Sequence, residues 1–153
     1  MILTACGTLP VSIADLTFAG IPQDEAKKIA GGAYKSHCSA SDFVKNNRGA
    51  TTELTEHQQL RLFEKVCARY VKDSIQFYNK YKKQDSVLWS KLHKTLREVF
   101  VDMKYQGALS FEMVPVFGFN DKESVIALIS KNIKLLADEP GRCGINYIRE
   151  NMK

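Results

Sequence analysis

Residues 55–81 read Thr55-Glu56-His57-Gln58-Gln59-Leu60-Arg61-Leu62-Phe63-Glu64-Lys65-Val66-Cys67-Ala68-Arg69-Tyr70-Val71-Lys72-Asp73-Ser74-Ile75-Gln76-Phe77-Tyr78-Asn79-Lys80-Tyr81. Within it, Leu60, Phe63, Cys67, Tyr70, Val71, Ile75, Tyr78 and Tyr81 recur at three- and four-residue steps, the spacing that lines up side chains along one side of an α-helix. A stripe of about six turns predicts one long amphipathic helix. Its start is marked by Thr55-Glu56-His57-Gln58, a capping-box pattern in which the hydroxyl and the amide satisfy backbone donors that the first turn leaves free.

Toward the C-terminus, Lys82-Lys83-Gln84 breaks the stripe and puts cations at the helix's negative end. Asp85 or Ser86 can cap a following helix whose apolar face is Leu88, Leu92, Leu96, Val99 or Phe100, and Met103. So short a turn predicts an antiparallel helical hairpin, closed by Gly107. Leu109-Ser110-Phe111-Glu112-Met113 alternates apolar and polar residues, as a half-buried strand or an extended crossover does, before Pro115 and Gly118 interrupt it. Asn120 with Glu123 marks another helix start, with Val125, Ile126, Leu128, Ile129, Ile133 and Leu136 as its core face and Pro140-Gly141 as its stop. Ile145, Tyr147 and Ile148 fit a short closing segment.

Toward the N-terminus, residues 46–52 read as a polar loop, and Pro22 opens a helix that ends near Tyr34, weakened by Gly31-Gly32. Pro10, Gly20 and Pro22 make the preceding stretch read as a tether. The expected architecture is mainly α, a bundle of about four helices with one short extended segment; an α+β fold is the alternative. The expected organisation is a residual signal-peptide end at 1–5, a tether at 6–21 and a single helical domain at 22–153. A chain of 153 residues with 44% apolar and 25% charged residues suits one globular core. Its most apolar run, Met113 to Phe119, is far shorter than the roughly 18 residues a membrane-spanning helix needs.

The first residues, Met1-Ile2-Leu3-Thr4-Ala5-Cys6-Gly7, contain Leu3-Thr4-Ala5-Cys6, which resembles the lipobox of bacterial lipoproteins. The resemblance covers this tetrapeptide alone. It implies that Cys6 carries a diacylglycerol and becomes the first residue after signal cleavage, and that two or more acyl chains anchor the domain to a membrane. Gly7, in place of the aspartate that retains enterobacterial lipoproteins at the inner membrane, implies the periplasmic face of the outer membrane. A full signal has a charged start and an apolar region of about 7–15 residues, so the remainder is expected to be encoded upstream of Met1. The alternative is a cytoplasmic protein in which Cys6 is an ordinary small residue.

With Cys6 lipidated, Cys38, Cys67 and Cys143 are left as candidate disulfide partners, and an oxidising periplasm permits one bridge. Three pairings are open. Cys38 and Cys143 fall on connections, and either is favoured as a partner, while Cys67, mid-helix on an apolar face, is either bridging or simply buried. No Cys-x-x-Cys spacing occurs, so neither thioredoxin-like chemistry nor a common zinc site is expected.

Signs of catalysis are equally sparse. There is no Gly-x-Ser-x-Gly elbow, no His-Glu-x-x-His and no phosphate-binding glycine loop. His37-Cys38 are neighbours in sequence, and His57 and His93 are each followed four residues on by an arginine, Arg61 and Arg97, a poor setting for a metal. Glu64, Asp73, Glu98, Asp102 and Glu112 are acids that could flank a glycan, with solvated surface acids as the default. No catalytic residue, metal or cofactor is expected. A net charge of +5 favours acidic partners without requiring nucleic acid. The expected function is a lipid-anchored, non-catalytic binding or accessory protein of the bacterial envelope with a protein partner there. The alternatives are an envelope hydrolase, and a cytosolic nucleic-acid binder using Lys72, Lys80, Lys83, Lys91, Lys94 and Arg97.

Overall fold

The computed structural model describes residues 11–33, 35, 37–49 and 53–153, with His37 described in its backbone only. Along these residues run α1 (Ile13–Phe18), α2 (Gln23–Ala30), α3 (His37–Asn47), α4 (Glu56–Tyr81), α5 (Lys94–Tyr105), α6 (Val114–Gly118), α7 (Lys122–Lys131), α8 (Ile133–Arg142) and α9 (Gly144–Asn151). Two 3₁₀ turns, Trp89–Lys91 and Phe111–Met113, complete the set, and no strand occurs among the described residues. The fold is mainly α, with more and shorter helices than the four expected.

Where the sequence reading placed one domain over residues 22–153, the chain divides into two compact units, Met1–Arg69 and Tyr70–Lys153. Helix α4 contributes to both, and its apolar stripe is used unevenly. In the second unit Tyr70, Ser74 and Tyr78 are fully buried, whereas in the first Leu62 is buried and Leu60 and Phe63 are 55% and 65% exposed. Periodicity identified an apolar side of α4 but not how far along the helix that side is covered.

In the first unit, residues 11–21 are not a tether. Ser12 caps α1: its Oγ accepts from Asp15 N at 3.2 Å while Asp15 Oδ2 accepts from Ser12 N at 2.9 Å, a reciprocal capping box. Leu16, Ala19 and Ile21 then bury themselves with Ala26 of α2 and Leu62 of α4. Gly20, at φ +90°, supplies the left-handed turn between α1 and α2. Helix α2 stops at Gly31, short of Tyr34, which lies outside the described residues. A Cβ on Gly32 would sit 2.7 Å from the Phe43 ring, so the paired glycines make room for α3. Thr55 and Gln58 form the expected capping box of α4, with Thr55 N donating to Gln58 Oε1 at 3.0 Å and Gln58 N to Thr55 Oγ1 at 3.2 Å.

In the second unit, α4 and α5 run antiparallel, as their side-chain pairs show. Tyr70 meets Tyr105 with ring centroids 4.7 Å apart, Asp73 meets Lys104 at 2.6 Å, and Tyr78 meets Phe100 at 5.7 Å. Phe100 also packs edge-on against Trp89 at 5.4 Å and Phe117 at 5.1 Å. The Tyr78 hydroxyl, held above the usual phenol range by burial, donates to Val87 O at 2.7 Å.

Three expectations change here. Helix α5 starts at Lys94 with His93 as its cap, Nδ1 accepting from Thr95 N at 3.3 Å, because residues 89–91 make a 3₁₀ turn first. The stretch 109–113 is no strand: Phe111–Met113 coil into a 3₁₀ turn leading to α6, where Pro115 sits in the first helical turn, a position that needs no amide donor. Val114 and Phe117 are both fully buried, a three-residue step that suits a helix. The last expected helix is two, because Asn132 caps α8 by accepting from Lys134 N and Leu135 N at 3.1 and 3.2 Å. Ile133, expected in the core, is 85% exposed, and Pro140 lies inside α8 instead of ending the preceding helix.

Asp15 ties the first unit together, because its buried carboxylate also takes Arg69 Nη1 at 2.8 Å. Burial pushes its pKa up, but hydrogen bonds from Ser12 and the Arg69 guanidinium outweigh it and hold the carboxyl below the usual range. A depressed carboxylate pKa stabilises the fold above the unfolded value, about 3.9, and that contribution is lost as pH falls through the folded value. Unfolding followed from pH 7 downward should therefore show acid loss of stability below about pH 4. Asp15→Asn should abolish that component and cost about 2 kcal/mol at pH 7. An unchanged acid limb in the variant would contradict this.

Candidate functional site

A cleft of about 200 Å³ opens in the second unit among α5, α7, α8 and α9. Its apolar floor is Val99, Met103, Ile129 and Leu135, and its polar lining is Glu98, Asp102, Glu139, Arg142 and Tyr147. Helix periodicity positions the first of these: Glu98 and Asp102 stand four residues apart on α5, next to the buried Val99 and Met103. Glu139 and Arg142 stand three apart at the end of α8. Cys143 then adopts φ +55°, and this left-handed residue turns the chain from α8 into α9, which carries Tyr147.

Hydrogen bonds hold the lining in place. Glu139 Oε1 accepts from Ile145 N at 2.5 Å, satisfying a free donor at the start of α9. Gly144 lies beside that carboxylate; a Cβ there would be 3.5 Å from Glu139 Oε2. The Tyr147 hydroxyl donates to Glu98 Oε2 at 2.6 Å, and the Glu98 carboxylate keeps the phenol pKa above its usual value, so Tyr147 is a donor at neutral pH. Gln106 Nε2 donates to both Asp102 oxygens, at 3.0 and 3.2 Å.

Arg142 departs from this pattern. Its Nη2 pairs with Asp138 Oδ2 at 3.1 Å and its side chain is only 11% exposed, yet Nε and Nη1 are buried without a hydrogen-bond partner among the described residues. An unsatisfied buried donor costs about 1–3 kcal/mol, and more when it is charged. The cleft thus combines a cationic side chain in its lining, whose Nε and Nη1 lie just behind the surface, with carboxylate acceptors at its rim and a short apolar floor, which equips it to hold a small polar ligand.

The residues singled out from sequence fall unevenly about this site. Glu98 and Asp102 are brought together in the cleft. Asp73 is engaged by Lys104, Glu112 sits in a 3₁₀ turn and Glu64 is an exposed residue of the first unit. His57 lies in the first turn of α4 and His93 caps α5. No three His, Cys, Asp or Glu side chains converge as metal ligands would among the described residues. Cys6 and the His37 side chain lie outside the described residues. Cys38, Cys67 and Cys143 are free thiols, and none is joined to another as the candidate bridges would require. Cys38 lies inside α3, not on a connection, while Cys143 is on the expected turn. Burial raises the Cys67 thiol above its ordinary pKa.

The sequence does not mark Arg142, Glu139 and Tyr147 as site residues. Pro140-Gly141 reads as a stop in the sequence, which separates residues 139 and 142 that the continuing α8 puts one turn apart.

No curated protein and no solved structure matches the chain. The family described as Domain of unknown function (DUF8812) has a model that matches residues 10–115, a stretch holding Glu98 and Asp102 and ending before α7. That match spans more than half of the 153 residues, and the chain belongs to this family.

Proposed function

We propose that this chain is a lipid-anchored, non-catalytic binding protein of the bacterial cell envelope, attached through Cys6 and taking an anionic group of its ligand in the Arg142 cleft. The observation that carries the binding half is the pair of unpartnered Arg142 donors, Nε and Nη1. A carboxylate brought to a guanidinium makes short charge-assisted hydrogen bonds, and the cleft's volume restricts the ligand to something smaller than those filling pockets of about 300–1,000 Å³. Binding is favoured over hydrolysis because Glu98 and Asp102 are both held as hydrogen-bond acceptors, by Tyr147 and Gln106. The anchoring half is supported by Leu3-Thr4-Ala5-Cys6, and acylation at Cys6 would place the ligand site on the outer membrane's periplasmic face, where an envelope partner can meet it.

Each half has its own test. Expressed from its native gene with the upstream DNA retained, the protein should fractionate with membranes and show the mass of an acylated chain beginning at Cys6. Cys6→Ser should release it to the soluble fraction; a soluble, unmodified wild-type chain would overturn the anchor. For the cleft, titration with 4-methylpentanoate should shift the amide resonances of Gly144, Ile145 and Tyr147, and Arg142→Gln should weaken that binding by about tenfold or more. Shifts unchanged by the variant would remove Arg142 from the site.

A further inference from the structure

The second unit carries more lysine and arginine than acid, yet the lining of its cleft reverses that balance, with Glu98, Asp102 and Glu139 against Arg142; from outside the lining, Lys94 faces Glu98 at 3.8 Å and Asp138 pairs with Arg142 at 3.1 Å. A ligand bearing only a carboxylate would satisfy the guanidinium and meet repulsion from the surrounding acids. One bearing only an ammonium would suit the acids and leave the buried donors unmatched. Both sets are matched by one molecule carrying both charges.

We propose that the Arg142 cleft takes a free α-amino acid with a small branched apolar side chain. Its carboxylate sits on Arg142, its ammonium on Glu98 and Asp102, and its side chain on Met103, Ile129 and Leu135. This rests on the reading of the cleft as a ligand site and names the class of that ligand.

The geometry assigns a role to each group. Glu98 and Asp102 are exposed at the rim, where each carboxylate keeps lone pairs beyond the bonds from Tyr147 and Gln106, and the ammonium would replace the long, exposed contact of Lys94 with Glu98 Oε1 at 3.8 Å. An ammonium has three donors to distribute among them. Glu139 is committed through Oε1 to Ile145 N, which fixes the start of α9 and so the position of Tyr147. Arg142 lines the cleft with Nε and Nη1 withdrawn from solvent and Nη2 on Asp138, so binding requires the guanidinium to turn toward the ligand, a side-chain movement ordinary for binding sites. Apolar groups of the floor are fixed by the core: Met103 is buried, as are Ile129 and Leu135.

The test is calorimetric titration of the full chain with leucine, with 4-methylpentanoate, which lacks the ammonium, and with 3-methylbutylamine, which lacks the carboxylate. Leucine should bind, and each single-charge analogue should bind at least about tenfold more weakly. The double variant Glu98→Gln, Asp102→Asn, which keeps side-chain size and oxygen acceptors, should bring leucine down to the affinity of 4-methylpentanoate while leaving 4-methylpentanoate no weaker. Thermal unfolding of that variant at wild-type temperature confirms that the fold is retained. Equal affinity for leucine and 4-methylpentanoate would overturn the proposal while leaving the carboxylate site of the preceding section standing. Equal affinity for leucine and 3-methylbutylamine would overturn it by removing Arg142, and failure of all three ligands to bind would overturn both readings.

Discussion

The packing of Phe100 among Tyr78, Trp89 and Phe117 is the constraint on which the second unit depends. Three helices and the 3₁₀ turn before α5 contribute a ring to this cluster, all in edge-on contact at 5.1–5.7 Å. Such pairs add about 0.5–1.5 kcal/mol each beyond the burial of their area. Because Phe100 lies between Val99 and Met103 in the buried set of α5, its seating fixes the rotation of that helix about its axis. That rotation in turn leaves Glu98 and Asp102 at the rim of the cleft. The chemistry of the site is therefore a consequence of a core made of rings, with the acids occupying the helical positions that the core leaves over.

The same core shows how close contacts replace regular connections. Gly118 O accepts from Val87 N at 3.0 Å, and any side chain at Gly118 would collide with Ser86. Residues 86 and 87 are thus held against the end of α6, and the chain between α4 and α5 is ordered by α6 instead of by a tight hairpin turn. Gly118 is the last residue of α6, and the requirement for glycine there comes from contact with Ser86.

Much of the helical content was legible because periodicity and capping are local. The Thr55–Gln58 box and the Leu92, Leu96, Val99, Phe100 and Met103 face appear where the residues put them. What local pattern could not convey was which apolar residues find a cover. Leu60 and Phe63 share spacing with Tyr70 and Tyr78, yet they are left exposed where those two are buried. Ile133 continues the face of Ile129 by four residues, but Asn132 breaks the helix between them and turns Ile133 outward. Short capped helices were missed for the opposite reason: Ser12 and Asp15 lay within a stretch whose prolines and Gly20 suggested a loop.

The site was legible only in part. Glu98 and Asp102 could be named as acids, but the distance between elements that makes them a rim is a tertiary fact. Arg142 gives no sign in the sequence, since its distinction is the absence of partners for two buried donors. Those donors are the most direct place to test the account. In nitrogen-15 spectra of the arginine side chains, the Arg142 Nε–H resonance, assigned by its loss in Arg142→Gln, should move sharply downfield as leucine is added while those of the remaining arginines stay in place. An Arg142 resonance unmoved at saturating leucine would contradict the central claim that this guanidinium receives the ligand.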